Sequence, residues 1–257
     1  MSSSFSGKSV VVTGATSGIG RAAALEFVTR GARVLLVGRS ESALAEVSAE
    51  AGAADGSVRT IAVDITTDDA AERIVATAEA AFGGVDVLVN AAGVIATGTI
   101  ENTDDTKWDA MMDVNVRAPF RLMRAAVPHL KARKGCVVNV SSVNGLRAFA
   151  GVLAYNVSKA AMDHLTRCAA LEMAPFGVRV NCVNPGVTIT NLHRRGGMDE
   201  AAYATFLQRA KETHPLGRPG QPEEVAAMIV FLASEDAGWM TGETIPVDGG
   251  RHLTCLR

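Results

Sequence analysis

Aromatic residues are scarce in this 257-residue chain, at 5%, and there is no surplus of basic charge: 25 Lys and Arg face 27 Asp and Glu, for a net charge of −2. That balance supplies no electrostatic footprint for nucleic acid or an anionic membrane surface. No apolar run approaches the ~18 residues that a membrane span needs. Met1 to Ser6 carry neither a basic region nor an apolar stretch, so no secretory leader is expected there. The four cysteines, Cys136, Cys168, Cys182 and Cys255, form no C-x-x-C pair. A disulfide framework or zinc site is therefore not expected, and Cys136, Cys168 and Cys182 read as core filler. The five histidines, His129, His164, His193, His214 and His252, lack metal-ligand spacing and read as surface or satisfied structural residues. The expectation is a soluble, cytoplasmic protein without a metal.

Glycine, by contrast, is abundant at 25 residues, and 48% of the chain is hydrophobic. Short β-branched runs alternate with longer helix-like stretches. Strands are expected at Ser9–Val12, Arg33–Val37, Val58–Val63, Val85–Val89, Cys136–Val140, Arg179–Val183 and Glu243–Val247. Most lack polar alternation, as in parallel strands buried on both faces. Helices are expected at Gly18–Arg30, Glu41–Ala51, Asp68–Phe82, Thr106–Lys134, Ala154–Phe176 and Pro222–Ser234. The alternation predicts an α/β fold: one doubly wound, Rossmann-type parallel sheet of about seven strands with helices on both faces. No linker or repeat divides residues 1–257, so a single domain is expected. The rhythm weakens between residues 187 and 220, which reads as a substrate lobe.

Thr13-Gly14-Ala15-Thr16-Ser17-Gly18-Ile19-Gly20 follows the first strand and opens the first helix. Glycines permit the tight turn and let a pyrophosphate approach the backbone, where the helix N-terminus offers unpaired N–H groups. A strand before and a helix after make this a dinucleotide-binding turn, spaced G-x-x-x-G-x-G. The second strand ends Val37-Gly38-Arg39-Ser40, with no carboxylate before Glu41. Arg39 can grip a 2′-phosphate as a fork-shaped cation, so NADP(H) is favoured, with NAD(H) possible.

Tyr155 and Lys159 stand four residues apart, on one face of a helix. A neighbouring cation stabilises phenolate and should bring the Tyr155 pKa down toward a value useful for proton transfer. Ser142 follows the fifth strand at the C-terminal edge, where parallel sheets bind ligands.

With these motifs in order, the chain resembles the short-chain dehydrogenase/reductase family in its single-domain form. The likeness runs from residue 7 to about residue 250. It rests on Thr13–Gly20, Asp64, Asn90-Ala91-Ala92-Gly93, Asn115, Ser142, Tyr155 with Lys159, Pro185-Gly186 with Thr190, and Thr241-Gly-Glu-Thr244 with Asp248-Gly-Gly250.

The resemblance implies that Tyr155 is the general acid in reduction and the base in oxidation. Lys159 would lower its pKa and hold the nicotinamide ribose, Ser142 would orient the substrate oxygen, and Asn115 would hold a relay water. On the cofactor, it implies contacts from Gly14, Thr16, Ser17, Gly18, Ile19 and Gly20 to the pyrophosphate and from Arg39, Asp64 and Ile65 to the adenosine. Asn90, Ala91 and Gly93 would line the adenosine side, and Pro185, Gly186, Thr188 and Thr190 the nicotinamide. The substrate implied is a small carbonyl compound or alcohol. A 3-oxoacyl thioester is the leading candidate, although Phe176 stands where such carrier-protein reductases often carry a basic residue. Sugar, polyol and steroid dehydrogenases share the motifs, and a non-catalytic dinucleotide sensor is the reading from another class. His193, Arg194 and Arg195 are placed to meet an anionic substrate, with solvent exposure as the alternative. A homotetramer across the two long helices is the assembly implied, with Met162, Leu165 and Ala169 serving either the core or that interface.

Overall fold

Seven apolar runs become seven parallel strands of one sheet in the computed structural model, which describes residues 5–52 and 56–254. In chain order the strands are β1 (Ser9–Thr13), β2 (Arg33–Gly38), β3 (Val58–Ala62), β4 (Val87–Asn90), β5 (Cys136–Val140), β6 (Arg179–Pro185) and β7 (Thr244–Val247). Their spatial order is β3-β2-β1-β4-β5-β6-β7. The order reverses between β1 and β4, and at such a switch point the connecting loops part and leave a crevice at the carboxyl ends of the strands.

Helices α1 (Gly18–Thr29), α2 (Glu41–Glu50), α3 (Ala70–Phe82), α4 (Asp105–Met112), α5 (Ala118–Arg133), α6 (Val143–Leu146), α7 (Leu153–Met173), α8 (Leu192–Arg195), α9 (Glu200–Thr213) and α10 (Pro222–Ala233) cover the sheet and build its rim. Short polar residues start several of them. The side chains of Ser40, Asp104 and Asp199 accept backbone N–H groups of Ala43, Lys107 and Ala202 at 3.2, 2.8 and 2.8 Å. Each satisfies a first-turn donor that the helix itself leaves unpaired.

Alternate residues of the strands feed two cores. Val10, Val12, Val34 and Leu36 pack with Phe27 of α1 and Ile229 of α10, whereas Val11, Leu35 and Val37 pack with Ile74 of α3 and Leu122 of α5. Burial on both faces explains the near-continuous hydrophobicity of the strands. Met162 is buried, and Leu165 and Ala169 pack against the second core. Leu165 and Ala169 thus keep part of their surface outside that core.

The chain departs from expectation in three places. The helix expected over Thr106–Lys134 is broken by a five-residue π turn, Asp113–Arg117, with Asn115 at its centre. Insertion of one residue into the helical ladder produces such a turn. Cys136 and Cys182 are buried, but Cys168 is exposed on the outer face of α7; Cys255 lies outside the described residues. The 187–220 segment holds two helices, α8 and α9, and its two ends are joined to each other by the parallel bridge between Thr188 and Gly220. Among the described residues no helix is long and apolar enough to cross a membrane, and no cluster of His, Cys, Asp or Glu could hold a metal ion.

Phe27 is fully buried, with the ring of Phe5 edge-on at 5.0 Å. Phe27→Ala is expected to lower the unfolding free energy by about 3–5 kcal/mol through lost transfer energy and the cavity left behind. A shift of the urea midpoint at unchanged slope is the check.

Candidate active site

The crevice at the switch point opens into a cleft of about 1890 Å³ that runs from Arg39 and Asp64, past the glycine turn, to Tyr155 and on to the α8–α9 segment. Small-ligand pockets are usually of roughly 300–1,000 Å³, so the cleft has room for a dinucleotide and a second molecule. The glycine turn forms its floor. Gly14 sits at φ +66°, and a Cβ there would lie 2.8 Å from the backbone of Ala92, so the turn and the β4 loop approach as only glycine allows. Thr13 secures the approach, its Oγ1 accepting the N–H groups of Ala91 and Ala92 at 3.1 and 3.2 Å. Ser17 caps α1 without a side-chain hydrogen bond into the first turn. The turn's donors are thus left for a phosphate, which the positive end of α1 also favours.

At the other end of β2, a Cβ on Gly38 would come within 2.7 Å of Thr16 Cγ2. With glycine here, the end of β2 offers no carboxylate. Arg39 beside it is exposed. Asp64 accepts the backbone N–H and the hydroxyl of Thr66 at 3.0 and 2.7 Å, and these bonds, aided by Arg39, hold its carboxyl below the usual range.

Helix α7 carries Tyr155 and Lys159, both buried, at 5% and 4% exposure. Lys159 Nζ donates to the carbonyl of Val140 at 2.9 Å, at the end of β5, and lies 5.6 Å from the Tyr155 ring centre. Ser142 caps α6; its Oγ accepts the Asn144 N–H at 3.2 Å and donates to Asn144 Oδ1 at 3.1 Å. Asn144 in turn donates to Asn156 at 2.7 Å, and Asn156 to the Phe149 carbonyl at 2.7 Å. These two asparagines fix the Ser142 loop against α7; nothing in their spacing announced them.

Here the structure corrects the expected titration. Burial pushes Tyr155 up to about 12, with a hydrogen bond from Ser142 pulling the other way, and pushes Lys159 down to about 8, with Cys182 and Asp163 opposing. Desolvation outweighs the Ser142 hydrogen bond, so burial favours the protonated phenol of Tyr155.

Asn115 lies behind Gly93, which brings it close to Lys159. Its Oδ1 accepts the Val94 N–H, and its Nδ2 donates to the Val94 carbonyl and to Ser158 Oγ, all at 3.0 Å. With its side-chain donors spent this way, the residue pins the β4 loop to α7. Asn90 does not line the cleft: it is buried beneath it, donating to Asn139 at 2.8 Å. Ile65, Ala91, Gly93, Pro185, Gly186, Thr188 and Thr190 line the cleft as expected, as do the glycine-turn residues.

The arginines of the α8 region are committed elsewhere. Arg194 grips Glu200 with two bonds, at 2.5 and 2.9 Å, and lies over Tyr203. Arg195 donates to Ser17 Oγ at 3.0 Å, so it faces the phosphate turn. His193, expected at the surface or satisfied, is instead half-buried against Phe206 in the cleft wall, with a buried Nδ1 that has no hydrogen-bond partner among the described residues. His214 accepts the Val187 N–H at 3.1 Å through Nε2, which places its proton on Nδ1, 2.9 Å from the Ala210 carbonyl. That ring ties α9 to the loop after β6.

A glycine turn at a parallel switch point, beside a buried Tyr–Lys pair and a capping serine, defines an oxidoreductase that works on a nicotinamide dinucleotide. Residues 14–252 match the family model described as enoyl-(acyl carrier protein) reductase. The chain is 38% identical over 245 residues to a 3-oxoacyl-[acyl-carrier-protein] reductase of Thermotoga maritima, covering 95% of this chain and 97% of that one. It is 37% identical to meso-2,3-butanediol dehydrogenase of Serratia marcescens, covering 96% and 95%. Its fold superposes with a TM-score of 0.91, at 35% identity and covering 99% and 100%, on L-sorbose reductase of Gluconobacter frateurii complexed with NADPH and L-sorbose. The chain belongs to the short-chain dehydrogenase/reductase family and is an NAD(P)-dependent oxidoreductase.

Lys159 loses its proton near pH 8 when folded, against an ordinary value of 10.5. Between those values the unfolded chain binds more protons, so this group's contribution to stability grows as pH rises from 8 to 10.5. Lys159→Met is expected to remove that increment, up to about 3 kcal/mol. Urea midpoints of the two proteins at pH 7.5, 9 and 10.5 give the difference; parallel pH profiles would refute it.

Proposed function

We propose that this chain is an NADPH-dependent ketone reductase acting on a small, unconjugated molecule, with Tyr155 as the proton donor. The observation that carries the reading is the burial that keeps the proton on Tyr155 beside Ser142 and Lys159. The nicotinamide, when bound, supplies a hydride to the carbonyl carbon. Tyr155 gives its proton to the carbonyl oxygen, and Ser142, held by Asn144, orients that oxygen and stabilises the charge developing on it. Lys159 holds the ribose and supplies positive charge below the phenol. Asn115 is a positioning residue for Val94 and Ser158. When the cofactor is bound, Gly14, Thr16, Ser17, Gly18, Ile19 and Gly20 would hold its pyrophosphate, and Pro185, Gly186, Thr188 and Thr190 its nicotinamide. NADPH is preferred because Arg39 offers a cation beside Gly38, where no carboxylate opposes a 2′-phosphate. A free substrate is favoured over one borne on a carrier because Phe176 replaces the expected basic residue.

Two substitutions test this. Tyr155→Phe is expected to lower kcat for ketone reduction at least about 10³-fold, consistent with the loss of a general acid, while NADPH still binds in a fluorescence titration. Unchanged turnover would exclude the mechanism. Arg39→Asp is expected to weaken NADPH binding about tenfold or more, the range of a charge-assisted hydrogen bond, and to leave NADH binding within about twofold. Equal losses for both cofactors would remove Arg39 from selection.

A further inference from the structure

Three contacts fix the short helix α8 between the phosphate turn and the surroundings of the reacting tyrosine. Before it, Thr190 packs on the turn: a Cβ on Gly18, at φ +54°, would lie 2.9 Å from Thr190 Cγ2. At its last residue, Arg195 donates to Ser17 Oγ at 3.0 Å. Just after it, Gly196 meets the loop that follows β4, where a Cβ would come within 2.8 Å of the Ile95 carbonyl oxygen. Ile95 in turn packs against the small buried cluster of Met111, Ala154 and Tyr155. His193, the second residue of α8, thus lines the cleft from a helix held on both sides of it.

The ring of His193 lies against that of Phe206 on α9, with centroids 4.4 Å apart. Nδ1 is sealed from water and has no hydrogen-bond partner among the described residues, whereas Nε2 is not sealed. No described residue takes a hydrogen bond from either nitrogen. A neutral imidazole carries one N–H and one lone pair, and its surroundings decide which nitrogen has which. Orphaned N–H groups are rarer in protein interiors than orphaned acceptors, so the proton belongs on Nε2 and the lone pair on Nδ1. Burial also holds the ring below its ordinary proton affinity, so it is uncharged at neutral pH. Leu192, Met198 and Phe206, which share this wall, are apolar. A neutral donor set in an apolar wall discriminates by the acceptor it finds there, because a ligand that lacks one leaves the donor dry and unpaired.

Resting on the reductase reading above, we infer that His193 is a specificity-determining residue whose Nε2–H donates to a second, uncharged oxygen of the substrate, while Tyr155 and Ser142 hold the reacting one. The substrate is then an oxygenated ketone, such as a hydroxyketone, an alkoxyketone or a keto ester. Hydride and proton do not pass through His193. It touches the oxygen that does not react and so sets which ketones are held beside Tyr155. In the sequence this histidine belongs to no pattern; its place against Phe206, with one nitrogen sealed and the other open, is what gives it a role.

Matched pairs test the assignment with NADPH present: 4-hydroxy-2-butanone against 2-pentanone, 4-methoxy-2-butanone against 2-hexanone, and ethyl 3-oxobutanoate against 2-heptanone. In the wild type, kcat/KM is expected to favour the oxygenated member of at least one pair about fivefold or more, within the range of a neutral hydrogen bond. Intrinsic reactivity cancels when the same pair is compared between proteins. The preference should fall about threefold or more in His193→Phe, which keeps a ring against Phe206 but removes the donor. It should persist in His193→Gln, whose amide nitrogen can stand near the place of Nε2; Tm checks the folding of both variants. A preference unchanged in His193→Phe, or lost equally in His193→Gln, would overturn the hydrogen bond and leave the reductase reading intact. A preference for the hydroxyketone alone would put the proton on Nδ1 and overturn the donor assignment, since ethers and esters only accept. With no turnover of any ketone the reductase reading fails. A Tm shift of the NADPH complex by an oxygenated member but not its isostere, lost in His193→Phe, would then still support the donor, and no shift would sink both.

Discussion

The cost of drying Tyr155 and Lys159 governs how this site is built. A lysine kept from water needs acceptors, and the chain supplies the Val140 carbonyl at the end of β5, at 2.9 Å. One turn further along α7 stands Asp163, itself buried, and its carboxyl is pushed above the ordinary range by desolvation. Asn184 of β6 answers that group by donating to both carboxyl oxygens, at 3.0 and 2.9 Å, and also to the Ser142 carbonyl at 2.9 Å. One amide thereby binds α7, β6 and the serine loop together. A Cβ on Gly145 would lie 2.4 Å from Asp163 Oδ2, so α6 presses as close to α7 as a bare backbone allows. Partly satisfied polar networks are costly in a dry interior, and among the described residues this one leaves only Asn184 Oδ1 without a partner.

The same logic extends below the cleft. Asn90 donates to Asn139, and Asn139 to Thr166 at 2.9 Å, in a line that crosses from β4 through β5 to α7. Beside it, Asn115 joins the β4 loop to Ser158 on α7 from a π turn, where the helical ladder yields to the side chain. The reacting tyrosine thus stands on a helix held from the strands beneath and the loops above. Geometry of that kind is what proton transfer requires, because the donor must meet the oxygen within a narrow range of distance.

What was legible in the sequence follows from this division. The strands could be read because burial on both faces makes them uniformly apolar, and the glycine turn because its steric demand admits no substitute. Tyr155, Lys159 and Ser142 could be placed by spacing. The polar network could not: Asn139, Asn144, Asn156, Asp163 and Asn184 find partners up to 49 residues away, and asparagine in isolation reads as a loop residue. Nor could the proton balance, since the expected effect of Lys159 on Tyr155 is a pairwise argument while burial is a property of the folded whole. Asn90 was assigned to the cleft on its motif, yet it is the following Ala91–Gly93 backbone that reaches the surface.

Chemistry and selectivity are housed in parts of unequal rigidity. Tyr155, the proposed proton donor, sits on α7, which the network above binds to β5 and β6. The far wall of the cleft comes from α8, α9 and the turn after β7. The two helices are tied to the loop after β6 at few points, the His214 bond to Val187 and the Tyr203 hydroxyl on the Thr190 carbonyl at 3.0 Å, and the Thr188–Gly220 bridge joins the ends of their segment. Residues there can change without disturbing the buried pair. Relatives at similar identity carry names that specify a 3-oxoacyl-[acyl-carrier-protein], a butanediol and L-sorbose. Side chains on that wall, such as His193, Phe206 and Arg209, line the cleft without entering the network that supports the buried pair.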